Sequence, residues 1–324
     1  MVANEGSPLT QSNPAAPSAP ATAAMPAGWA GAAPRRQPDP EAVATAAHYL
    51  SQADAVLLGA SNGLSIAEGL HLFAHNDAFE EVLGDIARPY GIGNILQACA
   101  FPWPTPEEYW GFWGRLTGHY MLGYTATPVM QDLRAIVGQR PAFVLTTNAE
   151  GHFELAGFAD DQVYELEGSW RRMQCATGCH DTLYPSGDVL TALAAAEQNG
   201  RVPRELVPTC PRCGGSMAMQ TVLNEPFIPD AAGREALGRF LAAHTGAQGR
   251  AANSRLAVLE LGIGPRNQLI KAPLMELVAA EPSARYVTIN LGQLFVPPQI
   301  ASRSAAIDSG VTEALAAVRA AMNA

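Results

Sequence analysis

Two cysteine pairs, Cys175-x3-Cys179 and Cys210-x2-Cys213, lie a short segment apart in a chain whose only other cysteine is Cys99. Two closely spaced thiolate pairs are what a tetrahedral zinc ion takes from two turns of a ribbon. Gly214 and Gly215 follow the second pair and Gly178 sits inside the first, which lets backbone amides turn toward the sulfurs. Two disulfides or four buried free thiols are the rival readings, and a reducing compartment, suggested by the single remaining cysteine and the lack of a secretory segment, favours zinc. Four thiolates leave no open position for water, so the expected role of the metal is structural. His180 is awkwardly adjacent to Cys179 and is expected at the surface; His152 and His71 have no evident partners in the sequence.

A second stretch with chemical potential is Gly59-Ala60-Ser61-Asn62-Gly63-Leu64-Ser65, which follows the short apolar run Asp54 to Gly59. Glycines after a buried strand admit a phosphate close to the backbone, and a following helix supplies amides and a favourable dipole; an ordinary tight turn uses the same glycines.

These residues need elements to hold them. Three more runs resemble the first: Ala142 to Thr147, Leu256 to Leu261 and Arg285 to Asn290. Short strands buried on both faces and separated by helical stretches predict a Rossmann-like α/β fold, a parallel sheet covered by helices on both faces. Ligands in such sheets bind beyond the carboxyl ends of the strands, where this chain places Gly59 to Gly63, Asn148, Gly262-Ile263-Gly264 and Asn290-Leu291-Gly292. Residues 1–40 are rich in Ala and Pro and read as a disordered tail, with one domain over 41–324. Two insertions are expected within it: a helical, aromatic-rich segment over 70–128, whose aromatic residues read as core, and a zinc-binding module over 170–224.

The formal charge of −10 argues against a nucleic-acid backbone as partner, and no apolar run is long enough for a membrane span. The cytoplasm is the expected location.

Four motifs resemble those of the sirtuin family over nearly all of residues 45 to 324. Gly59-Ala60 with Gly63 and Ser65 is similar to the Gly-Ala-Gly-x-Ser loop, and Thr147-Asn148-Ala149-Glu150-Gly151 with Ala156-Gly157 is similar to the Gln-Asn-Ile-Asp segment. Glu165-Leu166-Glu167-Gly168-Ser169 resembles Glu-Leu-His-Gly-Ser with one change, and the four cysteines fall where the sirtuin zinc module belongs. Residues 150–158, 260–264 and 289–292 most resemble the macrodomain-linked, class M members. Three departures accompany the matches. Glu167 replaces the histidine that serves deacylases as general base, Glu150 replaces the aspartate of the nicotinamide pocket, and His71-Leu72-Phe73-Ala74 stands where deacylases carry Pro-Asp-Phe-Arg.

The resemblance implies an NAD-dependent transferase that cleaves the bond between nicotinamide and ribose and passes ADP-ribose to a protein. For class M, the implied acceptor is a lipoyl-carrier protein, with a macrodomain hydrolase as functional partner. It implies that Gly59, Ala60, Ser61, Asn62, Gly63 and Ser65 hold the pyrophosphate and that Thr147 and Asn148 meet the cofactor, Asn148 at the ribose or the acceptor. Glu150 would face the nicotinamide carboxamide, and Gly262, Gly264, Asn290 and Leu291 would cradle the adenosine. Asn148 and Glu167 are the expected catalytic residues, Glu167 stabilising the sugar cation or activating the acceptor. An unperturbed glutamate, with a pKa of about 4.3, is a weak base near neutrality unless burial raises it. The alternatives are a deacylase with Glu167 as an atypical base and a non-catalytic NAD sensor.

Overall fold

The computed structural model describes residues 36–246 and 254–324, so most of the expected tail lies outside the described residues. The helices are α1 (Pro40–Ser51), α2 (Asn62–Ala67), α3 (Asp77–Ala87), α4 (Ile95–Ala100), α5 (Pro106–Thr117), α6 (Pro128–Val137), α7 (His152–Leu155), α8 (Gly187–Ala196), α9 (Ala231–His244), α10 (Gln268–Ala280) and α11 (Val311–Met322). The strands are β1 (Ala55–Ala60), β2 (Ala142–Thr146), β3 (Val163–Glu165), β4 (Gly168–Cys175), β5 (Tyr184–Pro185), β6 (Met217–Thr221), β7 (Leu256–Leu261), β8 (Arg285–Ile289) and β9 (Ser304–Ile307).

Entry into the fold follows from local chemistry. The Asp39 side chain accepts the Ala42 amide, Pro40 occupies the first helical turn, and Val43, Ala46, Ala47 and Leu50 form the buried face of α1. Ahead of it, Ser309 donates its hydroxyl to the Arg36 carbonyl at 2.6 Å.

Six strands form one sheet in the order β3-β2-β1-β7-β8-β9, and every pairing in it is parallel. Alternation along β1 explains the two layers. Val56, Leu58 and Ala60 face α1, α6 and α11, whereas Ala55 and Leu57 face α9 and α10. A Leu57→Ala change would remove contacts on a face with no solvent access, at a cost of about 2–5 kcal/mol. Gly59 lies on the same face as Leu57: a Cβ there would sit 2.3 Å from Leu274 Cδ1, so this glycine makes room for α10.

The chain runs outward from β1 in one direction through β2 and β3, then returns to β7 on the other side of β1. The β1–β7 pair is therefore the topological switch point, and ligands of such sheets bind beyond its carboxyl ends.

A second, three-stranded antiparallel sheet has the order β5-β4-β6. It shares a hydrophobic core with α3, α4, α5 and α8, so the aromatic segment and the cysteine segment pack on each other. Trp110, Phe112 and Trp113 are fully buried there, and the Trp113 and Trp170 rings meet edge to face at 5.7 Å. This is packing chemistry, as the helical spacing of these aromatics implied.

Candidate active site and metal centre

Loops from four strands meet at the switch point. The loop after β1 and the loop after β7 touch backbone to backbone: the Gly63 amide donates to the Gly262 carbonyl at 3.0 Å. A Cβ on Gly63 would lie 2.4 Å from Gly262 Cα, and one on Gly262 would lie 2.5 Å from Gly63 Cα. Both glycines are thus required by this contact. Ser61 precedes α2 in extended conformation, and Asn62 opens that helix, which is only six residues long.

Side chains tie the loops after β1, β2 and β7 together. Thr147 Oγ1 lies 3.0 Å from Ser61 Oγ, and Asn267 Nδ2 donates to both oxygens at 3.0 Å. Asn148 donates through Nδ2 to the Ser61 carbonyl at 3.2 Å and through its amide to Thr146 Oγ1 at 2.9 Å. Its Oδ1 is buried without a hydrogen-bond partner. A buried acceptor left open at the mouth of a crevice is chemistry waiting for a donor from a ligand. At the far side, Asn290 Nδ2 donates to the Ile263 carbonyl at 3.1 Å, which joins the Gly262–Gly264 turn to the Asn290–Leu291 turn.

Below the β2 loop is a buried polar network. Ser65 donates its hydroxyl to Glu150 Oε1 at 2.5 Å, and the Ala149 amide donates to Glu150 Oε2 at 3.1 Å. His152 follows, its Nδ1 at 3.0 Å from Glu68 Oε2 and its Nε2 at 2.8 Å from the Tyr120 carbonyl. Tyr124 donates to Glu68 and stacks on the imidazole at 4.2 Å.

Glu167 stands in the turn between β3 and β4, just beyond Glu165, which pairs in register with Thr146. Its carboxylate is half-buried, and burial alone pushes its pKa up. Beside it Glu165 is fully enclosed; burial first, then the Glu154 carboxylate, drive its pKa well above the usual carboxylate range. Arg171 partly offsets this acidity by pairing with Glu154 at 2.9 Å and Asp160 at 3.0 Å.

The four expected cysteines converge. Cys175 Sγ lies 3.8 Å from Cys213 Sγ, and Cys179 Sγ lies 3.7 Å from Cys210 Sγ. Disulfide sulfurs would be about 2.0 Å apart, whereas thiolates about 2.3 Å from a tetrahedral zinc lie about 3.8 Å from one another. The donor set fits zinc, held by Cys175, Cys179, Cys210 and Cys213. His180 departs from the expected surface position. Its Nδ1 is 2.9 Å from Cys179 Sγ, its Nε2 is 2.8 Å from the Tyr184 hydroxyl, and it clusters with Cys175, Cys179 and Cys210.

No family model matches the chain. It is 28% identical over 263 residues to a protein ADP-ribosyltransferase of Staphylococcus aureus (strain Mu50), covering 79% of this chain and 80% of that protein. It is 31% identical over 182 residues to a probable bifunctional ADP-ribose hydrolase/ADP-ribosyltransferase of Fusarium oxysporum f. sp. cubense, covering 54% of this chain but 30% of that protein. Among solved structures, one of a Sir2 enzyme aligns with 87% of this chain and 98% of its own at a TM-score of 0.51 and 17% identity, a likeness of fold. The chain is similar in sequence to these ADP-ribosyltransferases and shares the Sir2 fold.

Burial acts on Glu167 in the turn after β3, Gly63 and Gly262 meet between the loops after β1 and β7, and Asn148 reaches the Ser61 carbonyl from the loop after β2. Two participants escaped the sequence. Asn267 bridges Ser61 and Thr147 from outside every motif, and its only signal was a position shortly after Gly262-Ile263-Gly264. His152 gains Glu68 and Tyr120, partners 84 and 32 residues distant in sequence.

Proposed function

We propose that this chain is a sirtuin that cleaves the nicotinamide–ribose bond of NAD and transfers the ADP-ribosyl group to a protein side chain. The observation that carries the reading is Glu167: a half-buried carboxylate, raised in pKa by burial, in the place of the deacylase histidine. Burial makes such a carboxylate a stronger base than an exposed one. The Staphylococcus aureus relative, a protein ADP-ribosyltransferase covered over 80% of its length, supports the same chemistry.

In this reading, Ala60, Ser61, Asn62, Gly63 and Ser65, following Gly59, line the pyrophosphate side of the crevice, and Thr147 fixes Ser61 there. Asn148 offers its open Oδ1 to a ribose hydroxyl, which satisfies the buried acceptor. Glu150 faces the nicotinamide carboxamide; Gly262, Gly264, Asn290 and Leu291 border the adenosine. As the C–N bond to nicotinamide breaks, positive charge spreads over the sugar, and Glu167 and Glu150 stabilise it from a site that excludes water. The acceptor's nucleophilic atom then bonds to the anomeric carbon, and its proton passes to Glu167. The four cysteines hold zinc away from this crevice, as a brace for β4 and β6.

The likeness to class M motifs extends the proposal to a lipoyl-carrier protein as acceptor and a macrodomain hydrolase as the enzyme that reverses the mark. The Fusarium relative, whose name joins an ADP-ribose hydrolase to an ADP-ribosyltransferase, supports that pairing of activities. Four free cysteines spaced to hold zinc support a cytoplasmic location; among the described residues no helix is long and apolar enough to cross a membrane.

The test is incubation with adenylate-labelled NAD, a lipoylated carrier protein and an acylated peptide. Label on the carrier with nicotinamide release supports transfer. Acyl loss from the peptide supports the deacylase reading instead, and binding with no nicotinamide release under either acceptor leaves a sensor.

A further inference from the structure

We propose that His152 is a doubly protonated imidazolium that positions the Glu150 carboxylate from behind. The inference rests on the reading that Glu150 lines the nicotinamide pocket, but the charge state of His152 stands on geometry alone. Its Nε2 faces the Tyr120 backbone carbonyl at 2.8 Å, and a carbonyl oxygen only accepts, so this nitrogen carries a proton. Its Nδ1 faces Glu68 Oε2 at 3.0 Å. The Glu68 oxygens already accept the Tyr124 hydroxyl at 3.0 and 3.2 Å and the Thr127 hydroxyl. A carboxylate surrounded by donors serves Nδ1 as one more acceptor, so the second ring nitrogen donates too.

The surroundings suit a cation. His152 and Glu68 side chains are 4% and 1% exposed, and Tyr124 stacks its ring on the imidazole with an interplanar angle of 23°. Glu68 comes from the end of α2, Glu150 from the β2 loop, and Tyr120 and Tyr124 from the segment after α5. Glu68 and Glu150 are the carboxylates within ion-pair reach of the ring among the described residues. Burial lowers the imidazole pKa, but the Glu68 hydrogen bond and the two carboxylate charges outweigh it, so the net shift is upward.

Glu150 is the beneficiary. Its Oε1 lies 4.0 Å from His152 Nδ1 and takes the Ser65 hydroxyl, while its other oxygen takes the Ala149 amide. One fixed positive charge between two buried carboxylates holds Glu150 still at the place where the leaving group must be gripped. The same imidazolium joins α2, the β2 loop and the helical segment, so it sets the position of Glu150 relative to all three. His152 touches no reactant in this arrangement; it is a positioning residue.

The experiment pairs spectroscopy with kinetics on the zinc-loaded, full-length protein. In ¹⁵N-histidine NMR, the resonances that vanish in His152→Gln should show two protonated nitrogens at pH 7.5 and stay so above the titration of an exposed histidine; a neutral tautomer there overturns the proposal. His152→Gln should lower kcat for nicotinamide release by about 100-fold with a smaller change in KM for NAD, a size typical of misplaced catalytic groups. Wild type should lose rate at alkaline pH as His152 loses its proton, and His152→Gln should remove that fall. Unchanged kcat and an unchanged pH profile in a folded variant would overturn the positioning role even with the imidazolium confirmed. Tyr124→Phe, which removes one donor to Glu68 and keeps the ring, should show the same effects in smaller measure. Should wild type release no nicotinamide, the functional reading fails, whereas the NMR result still decides the charge of His152.

Discussion

Glu167 shows what one substitution does to a site. A histidine at this position would be a ready base; a glutamate becomes one only by burial, and burial is the sole cause of its raised pKa. That has a measurable consequence in two directions. Because the folded state holds the Glu167 proton more tightly than the unfolded chain does, this group adds stability as pH falls through its raised pKa and costs stability once ionised above it. Glu167→Gln keeps the shape and removes the charge. At pH values above the raised pKa it should raise Tm, by about 2–4 °C per kcal/mol for a domain of this size, and the gain should shrink as pH falls through that pKa. The same variant should lose nicotinamide release by about 100-fold or more, the size of effect typical of a lost general base. A thermal-shift series run beside a nicotinamide assay checks both, and a variant that loses stability at neutral pH would contradict the origin assigned to the shift.

At the scale of elements, the two devices that shape the site are a glycine contact and a thiolate cluster. Gly63→Ala places a methyl 2.4 Å from Gly262 Cα, where the obstacle is backbone and cannot swing aside. The loops after β1 and β7 must then part, at a cost of about 1–3 kcal/mol, and titration calorimetry should show weaker NAD binding together with a lowered Tm. The cysteines brace the other lobe: Cys175 ends β4, and Cys210 and Cys213 flank the turn that precedes β6. Chelation of zinc should therefore loosen β4 and β6 and the Trp113–Trp170 contact before the large sheet, seen as a red shift in tryptophan emission while far-UV circular dichroism is largely retained. Loss of all secondary structure at once would show instead that the two sheets unfold as one. These elements were legible in the sequence to different degrees. Four strands were readable because each is a continuous apolar run buried on both faces, and their ends fall within one residue of the structure. Strands β3 and β9, with three and four residues, were missed because a segment that short has no periodicity, and pairing in the sheet rather than local preference makes them strands. The crevice was legible because its glycines and amides follow strands directly, whereas Asn267 and the His152–Glu68 pair are products of tertiary packing that no local pattern records.

For the molecule as a whole, the distribution of charge matters more than its sum. Lys271 is the only lysine in the chain, and it is 2% exposed, paired through Nζ with the equally buried Glu260. Thr288 donates to the same carboxylate at 2.9 Å and Tyr286 donates to its other oxygen, so both Glu260 oxygens are served. Burial, with the Glu260 charge behind it, drives the Tyr286 pKa upward. Surface cations are therefore arginines, and the fold presents no lysine amine to reagents or to acyl donors. Two outcomes follow. An amine-reactive reagent should leave Lys271 unlabelled in the native protein and label it only as the sheet opens, so the rate of Lys271 labelling in peptide maps reads global unfolding directly. Replacing Lys271 with Met should cost about 3–5 kcal/mol, because it strands the Glu260 carboxylate among apolar side chains without its counter-ion, whereas the double change Lys271→Met with Glu260→Gln should recover most of that loss. If the single variant melts like wild type, the pair contributes nothing, and labelling of Lys271 in the folded state would show that the layer between β7 and α10 opens locally.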